Sequence, residues 1–105
     1  MSAVEIAAAV AAGERSAVDV VDAYLATIAA KDGDINAFNL VTTAVAREQA
    51  AAIDEAVAAG RPVGPLAGVP IALKDNMCTT SIATTCSSKI LEGWRPPYSA
   101  TVATR

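Results

Sequence analysis

Gly68-Val69-Pro70-Ile71-Ala72-Leu73-Lys74-Asp75-Asn76 is the stretch on which the reading of this chain turns. A short apolar run follows Gly and Pro and ends in a lysine, a carboxylate and an amide. Ile71 to Lys74 reads as a short buried strand. A lysine at the end of such a strand is drawn toward the interior, where desolvation favours its neutral form and lets it carry protons. The point matters because the chain has no histidine. A general base here must come from Lys, Asp, Glu, Tyr or Cys.

Outward from this stretch the chain divides by composition. Upstream, Arg61 to Pro70 is a loop dominated by Pro and Gly. It lacks the Gly-Lys-Ser/Thr ending of a phosphate loop. Before it, residues 1–60 read as helices. Ser2-Ala3-Val4-Glu5 fits a capping box opening a helix to Ala12, stopped by Gly13. Ser16 caps a second helix with Asp19 in its first turn. Val18, Val21, Leu25 and Ile28 give it one apolar face, Lys31 lies in its last turn, and Asp32-Gly33-Asp34 ends it. Ile35 to Val41 reads as a short strand. Thr42 or Thr43 caps a third helix that runs to Ala59 and stops at Gly60.

Downstream, Thr79 to Ser88 is rich in hydroxyls, and Ser87 or Ser88 caps one helical turn through Leu91. Trp94-Arg95-Pro96-Pro97-Tyr98 is a rigid loop in which the two aromatics act as packing anchors. Ser99 opens a further helical pattern, Ala100-Thr101-Val102-Ala103. A short buried strand needs neighbours for its backbone groups, and few other strands are readable here. The chain is therefore expected to be the N-terminal part of a larger α/β domain.

The bulk numbers agree with a soluble globular protein. The apolar fraction is 53%, but much of it is alanine, so the core is thinner than that figure suggests. Marginal stability is expected for these residues alone. No apolar run approaches the roughly 20 residues of a membrane helix, and the start lacks a basic leader, so a cytoplasmic, non-membrane protein is expected. Residues 1–60 hold nine acids and three bases, whereas residues 61–105 hold two acids and five bases. The second part is mildly positive, but no dense basic run interleaved with aromatics marks a nucleic-acid surface. Cys78 and Cys86 form no CxxC pair and have no histidine to complete a zinc site, so both are expected to be reduced thiols used in packing.

The order of these features resembles the amidase signature family. The resemblance is carried by Gly64 to Asn76, by Thr84-Thr85-Cys86-Ser87-Ser88-Lys89-Ile90-Leu91-Glu92-Gly93-Trp94, and by Pro96-Pro97-Tyr98. The Thr-Thr-Cys stretch and the Pro-Pro-Tyr-x-Ala-Thr-Val ending look like the branch that provides the A subunit of glutamine-dependent aminoacyl-tRNA amidotransferases. Asn36-Ala37-Phe38 is similar to the family's first strand. Ser81 stands where a glycine is common, and Ser99 where an aspartate is. The resemblance implies an α/β/α fold with a central mixed sheet, of which residues 1–105 are the N-terminal portion. In it, 1–60 are the helical region with a short strand, and 61–105 carry the strand and loops with the catalytic lysine.

The resemblance also implies a mechanism. The family uses a lysine, a bridging serine in a cis peptide and a nucleophilic serine, and Lys74 matches the lysine. Both serines belong to a Gly-Ser-rich signature that these residues do not contain. Ser87 and Ser88 do not replace them. The implied substrate is glutamine, whose ammonia passes to the complex of the A, B and C subunits. That complex amidates Glu-tRNA(Gln) or Asp-tRNA(Asn), using ATP and Mg. No cofactor or metal is expected on these residues themselves. A stand-alone amidase of small amides and a non-catalytic truncated paralogue are the alternatives. Asp75 and Asn76 are expected to shape the turn after the strand rather than to act in catalysis.

Overall fold

A computed structural model describes residues 1–104 as two compact units, one of residues 1–70 and one beginning at Ile71. In the first unit, α1 (Ala3–Ala11), α2 (Ala17–Ile35) and α3 (Thr43–Ala58) follow one another. α2 and α3 form the main packing pair, with α1 also against α3.

Local sequence chemistry sets most helix ends. The capping box forms: Ser2 N donates to Glu5 Oε2 at 2.6 Å and Glu5 N donates to Ser2 Oγ at 3.3 Å. The Ser2 bonds hold the Glu5 carboxyl below its ordinary pKa. Gly13 and Gly60 follow α1 and α3 at φ +70° and +67°, the left-handed conformation that favours glycine. Thr42 is the N-cap residue of α3 but contributes no side-chain capping bond.

The core of the unit consists of Ile6, Val10, Ala17, Val20, Val21 and Ala50, with Val18, Leu25, Ala46, Ile53 and Val69 packed against it. Ala17 on α2 and Ala50 on α3 are both buried in this core. The apolar face expected on α2 holds at Val18, Val21, Leu25 and Ile28, all at least half-buried. It also includes Ala17 and Val20.

Two expectations for this unit are corrected. α2 does not end at Asp32-Gly33-Asp34 but runs through Gly33 to Ile35, where Asn36 takes the left-handed cap position at φ 54°. A single Gly costs only about 1 kcal/mol inside a helix, less than the caps beyond it recover. Asp32 supplies them: its carbonyl accepts from Asn36 N at 2.7 Å, and its carboxylate accepts from Ala37 N at 2.7 Å and Phe38 N at 3.3 Å. Those bonds also explain why Ile35 to Val41 is not a strand. Asp32 uses the N–H groups that a ladder would need, and Phe38, Leu40 and Val41 stay exposed.

The second unit is built mainly from turns. It contains a 3₁₀ turn over Lys89–Leu91 and the short helix α4 (Thr101–Thr104). The buried strand expected at Ile71 to Lys74 does not form. Ile71 is 70% exposed and Leu73 44%. Among the described residues no strand forms, and the only bridge is the isolated pair Thr79 and Ile82. The described part is therefore helical, and the sheet of the expected α/β/α fold is not among these residues. The physical reason is pairing: an extended run keeps its strand geometry only when neighbours satisfy its backbone groups.

Candidate functional site

The chemistry-bearing stretch starts at a tight turn. Lys74 O accepts from Met77 N at 2.9 Å, closing Lys74-Asp75-Asn76-Met77. Asp75 then ties this turn to a segment ten residues on. Its carboxylate accepts from Thr85 N at 2.8 Å through one oxygen and from the Thr85 hydroxyl through the other. Its carbonyl accepts from Cys86 N at 2.8 Å. Asp75 thus anchors backbone groups, as its place after the apolar run led us to expect. Lys74, the residue singled out for proton transfer, is exposed on this turn.

The partner segment is strained. Cys86 and Ser87 both have positive φ, 50° and 59°. Left-handed backbone costs a non-glycine residue about 1–2 kcal/mol, so consecutive residues of this kind persist only where other contacts fix them. Here Asp75 holds Cys86 N, Thr85 Oγ1 accepts from Ser87 N at 3.2 Å, and Thr85 O accepts from Ser88 N at 2.8 Å. Ser88 then caps the 3₁₀ turn, accepting from Ile90 N at 3.3 Å. Of the two serines, Ser88 takes the capping role. Ser87 lies exposed beside it.

Behind this segment, Thr84 is buried and donates its N–H to Trp94 O at 3.1 Å. Pro96 is fully buried, and the Trp94 and Tyr98 rings meet edge to face with centroids 6.4 Å apart. Trp94 is partly buried beside the Pro96-Pro97 loop, whereas Tyr98, expected to anchor it as well, is 58% exposed. Cys78 is half-buried and its carbonyl accepts from Ala100 N at 2.8 Å. A hydrogen bond with Cys78 raises the pKa of Tyr98, and the negative charge that Cys78 and Cys86 can carry adds to the effect. Both thiols are free. Cys86 is exposed on this left-handed turn, so the packing role expected for it fails.

Ser81, at a position where glycine is the commoner residue, adopts φ 64°. Its N–H donates to Pro96 O at 3.0 Å, and its carbonyl accepts from Arg95 Nη1 at 2.6 Å. Ser99, instead of beginning a helix, accepts from Thr80 N at 2.9 Å and shares a 2.8 Å bond with the Thr80 hydroxyl. The helix starts at Thr101.

The Asp75–Thr85 pairing was not readable in advance. An Asp and a Thr ten residues apart follow no local periodicity, and only the folded backbone brings them together. No group of three or more His, Cys, Asp or Glu side chains able to hold a metal occurs among the described residues. No helix among them is long and apolar enough to cross a membrane.

Comparison with known proteins gives consistent matches. The Amidase family model matches residues 19–105. The A subunit of glutamyl-tRNA(Gln) amidotransferase from Thermobifida fusca is 54% identical over 105 residues, covering 100% of this chain and 21% of its own length. The protein of the same name from Streptomyces coelicolor is 53% identical over the same span and share. The chain thus spans about a fifth of the length of these curated relatives. Among solved structures, one described as an unexpected vestigial protein complex revealing the evolutionary origins of an s-triazine catabolic enzyme, in an inhibitor-bound form, superposes with a TM-score of 0.92 at 41% identity. That match covers 99% of this chain and 23% of the other.

Proposed function

Because this chain belongs to the amidase family, we propose that it is the N-terminal portion of the glutamine-hydrolysing A subunit of an aminoacyl-tRNA amidotransferase. The observation that carries this reading is the 54% identity to a protein of that name along the whole chain.

In the proposed reaction Lys74 works in its neutral form. It takes a proton from a bridging serine, which takes one from the nucleophilic serine. The nucleophile attacks the side-chain amide carbon of glutamine, and backbone N–H groups stabilise the oxyanion. Ammonia leaves with the returned proton, and water releases glutamate from the acyl-enzyme. The partner B and C subunits, with ATP and Mg, use that ammonia to convert Glu-tRNA(Gln) or Asp-tRNA(Asn) to the amide. The family's two serines are supplied by residues other than these 105. The exposed Lys74 turn is the surface those residues would cover, removing the lysine from water. The protein is proposed to act in the cytoplasm, where charged tRNA is made and used.

The test is ammonia release from glutamine by the full-length protein in complex with its partners. Lys74→Ala is expected to abolish release while the circular dichroism spectrum stays unchanged. Near-normal turnover in that variant overturns the assignment. The 105-residue chain on its own is expected to release no ammonia, because it holds only the lysine of the triad.

A further inference from the structure

We propose that Asp75 and Thr85 form a positioning pair that fixes the backbone of the turn presenting Lys74, so that catalysis depends on a hydroxyl that never meets the substrate. The proposal rests on the reading of Lys74 as the proton carrier.

Asp75 is the residue next to the lysine, and three hydrogen bonds hold it to two consecutive residues. Its carboxylate takes the N–H and the hydroxyl of Thr85, and its carbonyl takes Cys86 N. Donors to a carboxylate are about twice as strong as neutral ones. The turn is closed on its other side by Met77 N donating to Lys74 O at 2.9 Å. Residue 74 thus opens a turn that is fixed at its own carbonyl and at the residue that follows it, while the lysine itself is exposed. Thr85 is itself held: its hydroxyl also accepts from Ser87 N and its carbonyl accepts from Ser88 N. The left-handed Cys86 and Ser87 follow it directly. One threonine therefore braces both the strained segment and the lysine turn. Removing its hydroxyl loosens the turn without touching any group that reacts.

Proton transfer is sensitive to such loosening. A misplacement of about 1 Å costs about a hundredfold in rate. A base displaced from its partner loses turnover rather than substrate affinity. A purely structural defect instead lowers the amount of active enzyme and leaves the pH dependence of the survivors unchanged.

The experiment uses the full-length protein in its complex, with glutamine hydrolysis followed across pH and active sites titrated. Thr85→Val is expected to lower kcat by about a hundredfold with KM within about twofold, and to displace the limb of the kcat profile that reports the lysine. Thr85→Ser, which keeps the hydroxyl, is expected to restore most of kcat. Asp75→Ala, which removes the hydroxyl's acceptor, is expected to lower kcat at least as much as Thr85→Val does, and the double variant to be no worse than Asp75→Ala alone, because both substitutions remove the bond between the hydroxyl and the carboxylate. Wild-type kcat in Thr85→Val, additive losses in the double variant, or a kcat loss that active-site titration accounts for entirely each overturns the pair. So does failure of both Asp75→Ala and Thr85→Val to give folded protein, since the bonds would then serve folding alone. Lys74→Ala is run alongside. If it keeps its activity, the lysine assignment fails; if it is inactive while Thr85→Val is normal, only the positioning pair fails.

Discussion

A Cβ atom at position 68 would lie 2.8 Å from Val10 Cγ2 and 2.9 Å from Val10 Cγ1. Gly68 also adopts φ +76°, so a side chain here meets both a steric wall and an unfavourable backbone conformation. Val10 is 1% exposed and cannot move aside without disturbing the core. The loop before Pro70 is thereby sealed onto α1 at one point.

Gly68→Ala is expected to destabilise the first unit by about 2–4 kcal/mol, combining overpacking with left-handed strain. Urea unfolding followed by circular dichroism measures it. Shortening Val10 to Ala in the same chain should recover part of the loss by relieving the clash. A Gly68→Ala midpoint equal to wild type would show that the close approach has no energetic weight.

Much of the first unit could be read from short stretches because its stops and starts are local. The Ser2–Glu5 box, Ser16 and the glycines at 13 and 60 each act within four residues of the helix end they define. The failures are non-local. The exit of α2 depends on Asp32 reaching forward to Ala37 and Phe38, which no helix-stop rule anticipates. Ile71 to Lys74 has the composition of a strand, but strand geometry belongs to a pair of chains rather than to one. The candidate site shows the same division. Lys74 stands out by its position after an apolar run, whereas Thr85 looks like one more hydroxyl in a polar segment until Asp75 is placed against it.

Asp54 on α3 caps the start of α2. Its carboxylate accepts from Ser16 Oγ at 2.6 Å, Ala17 N at 2.6 Å and Val18 N at 3.2 Å. Burial alone would raise its pKa, but the bonds from Ser16, Ala17 and Val18 outweigh it and the net shift is downward. A carboxyl depressed in the folded state adds stability that is present above its unfolded pKa and is lost as pH falls through the folded one. Acid unfolding should therefore steepen below about pH 4, the ordinary carboxylate range, and Asp54→Ala should flatten that limb. At neutral pH the substitution is expected to cost about 1–3 kcal/mol by leaving N–H groups of α2 without their acceptor. An unchanged acid limb in Asp54→Ala would place the proton uptake elsewhere.

Ser81 holds φ 64° without the freedom of glycine. Its bonds to Pro96 O and to the Arg95 guanidinium use only the backbone N–H and carbonyl of residue 81, so glycine can keep both. Ser81→Gly removes about 1–2 kcal/mol of left-handed strain. The greater entropy of the unfolded glycine chain offsets about 0.4–1 kcal/mol of that. The net expectation is a small gain in stability, read as a higher urea midpoint at unchanged slope. A lower midpoint would mean that the serine side chain contributes more than its backbone costs.

Tyr98 offers a direct reading of how the second unit is packed. Its phenol is held above its ordinary pKa of 10.0, first by the hydrogen bond with Cys78 and then by the charge Cys78 can carry. Negative charge near the phenol makes its ionised form less favourable. Substituting Tyr24, the other tyrosine of the chain, by Phe leaves one phenolate band to follow as pH rises. In that background Cys78→Ala should move the titration of Tyr98 back toward the ordinary value. Cys86→Ala should move it less, since Cys86 acts on the phenol through charge alone, without a hydrogen bond. Equal shifts in the two variants, or none in Cys78→Ala, would mean that the phenol does not face Cys78 in solution.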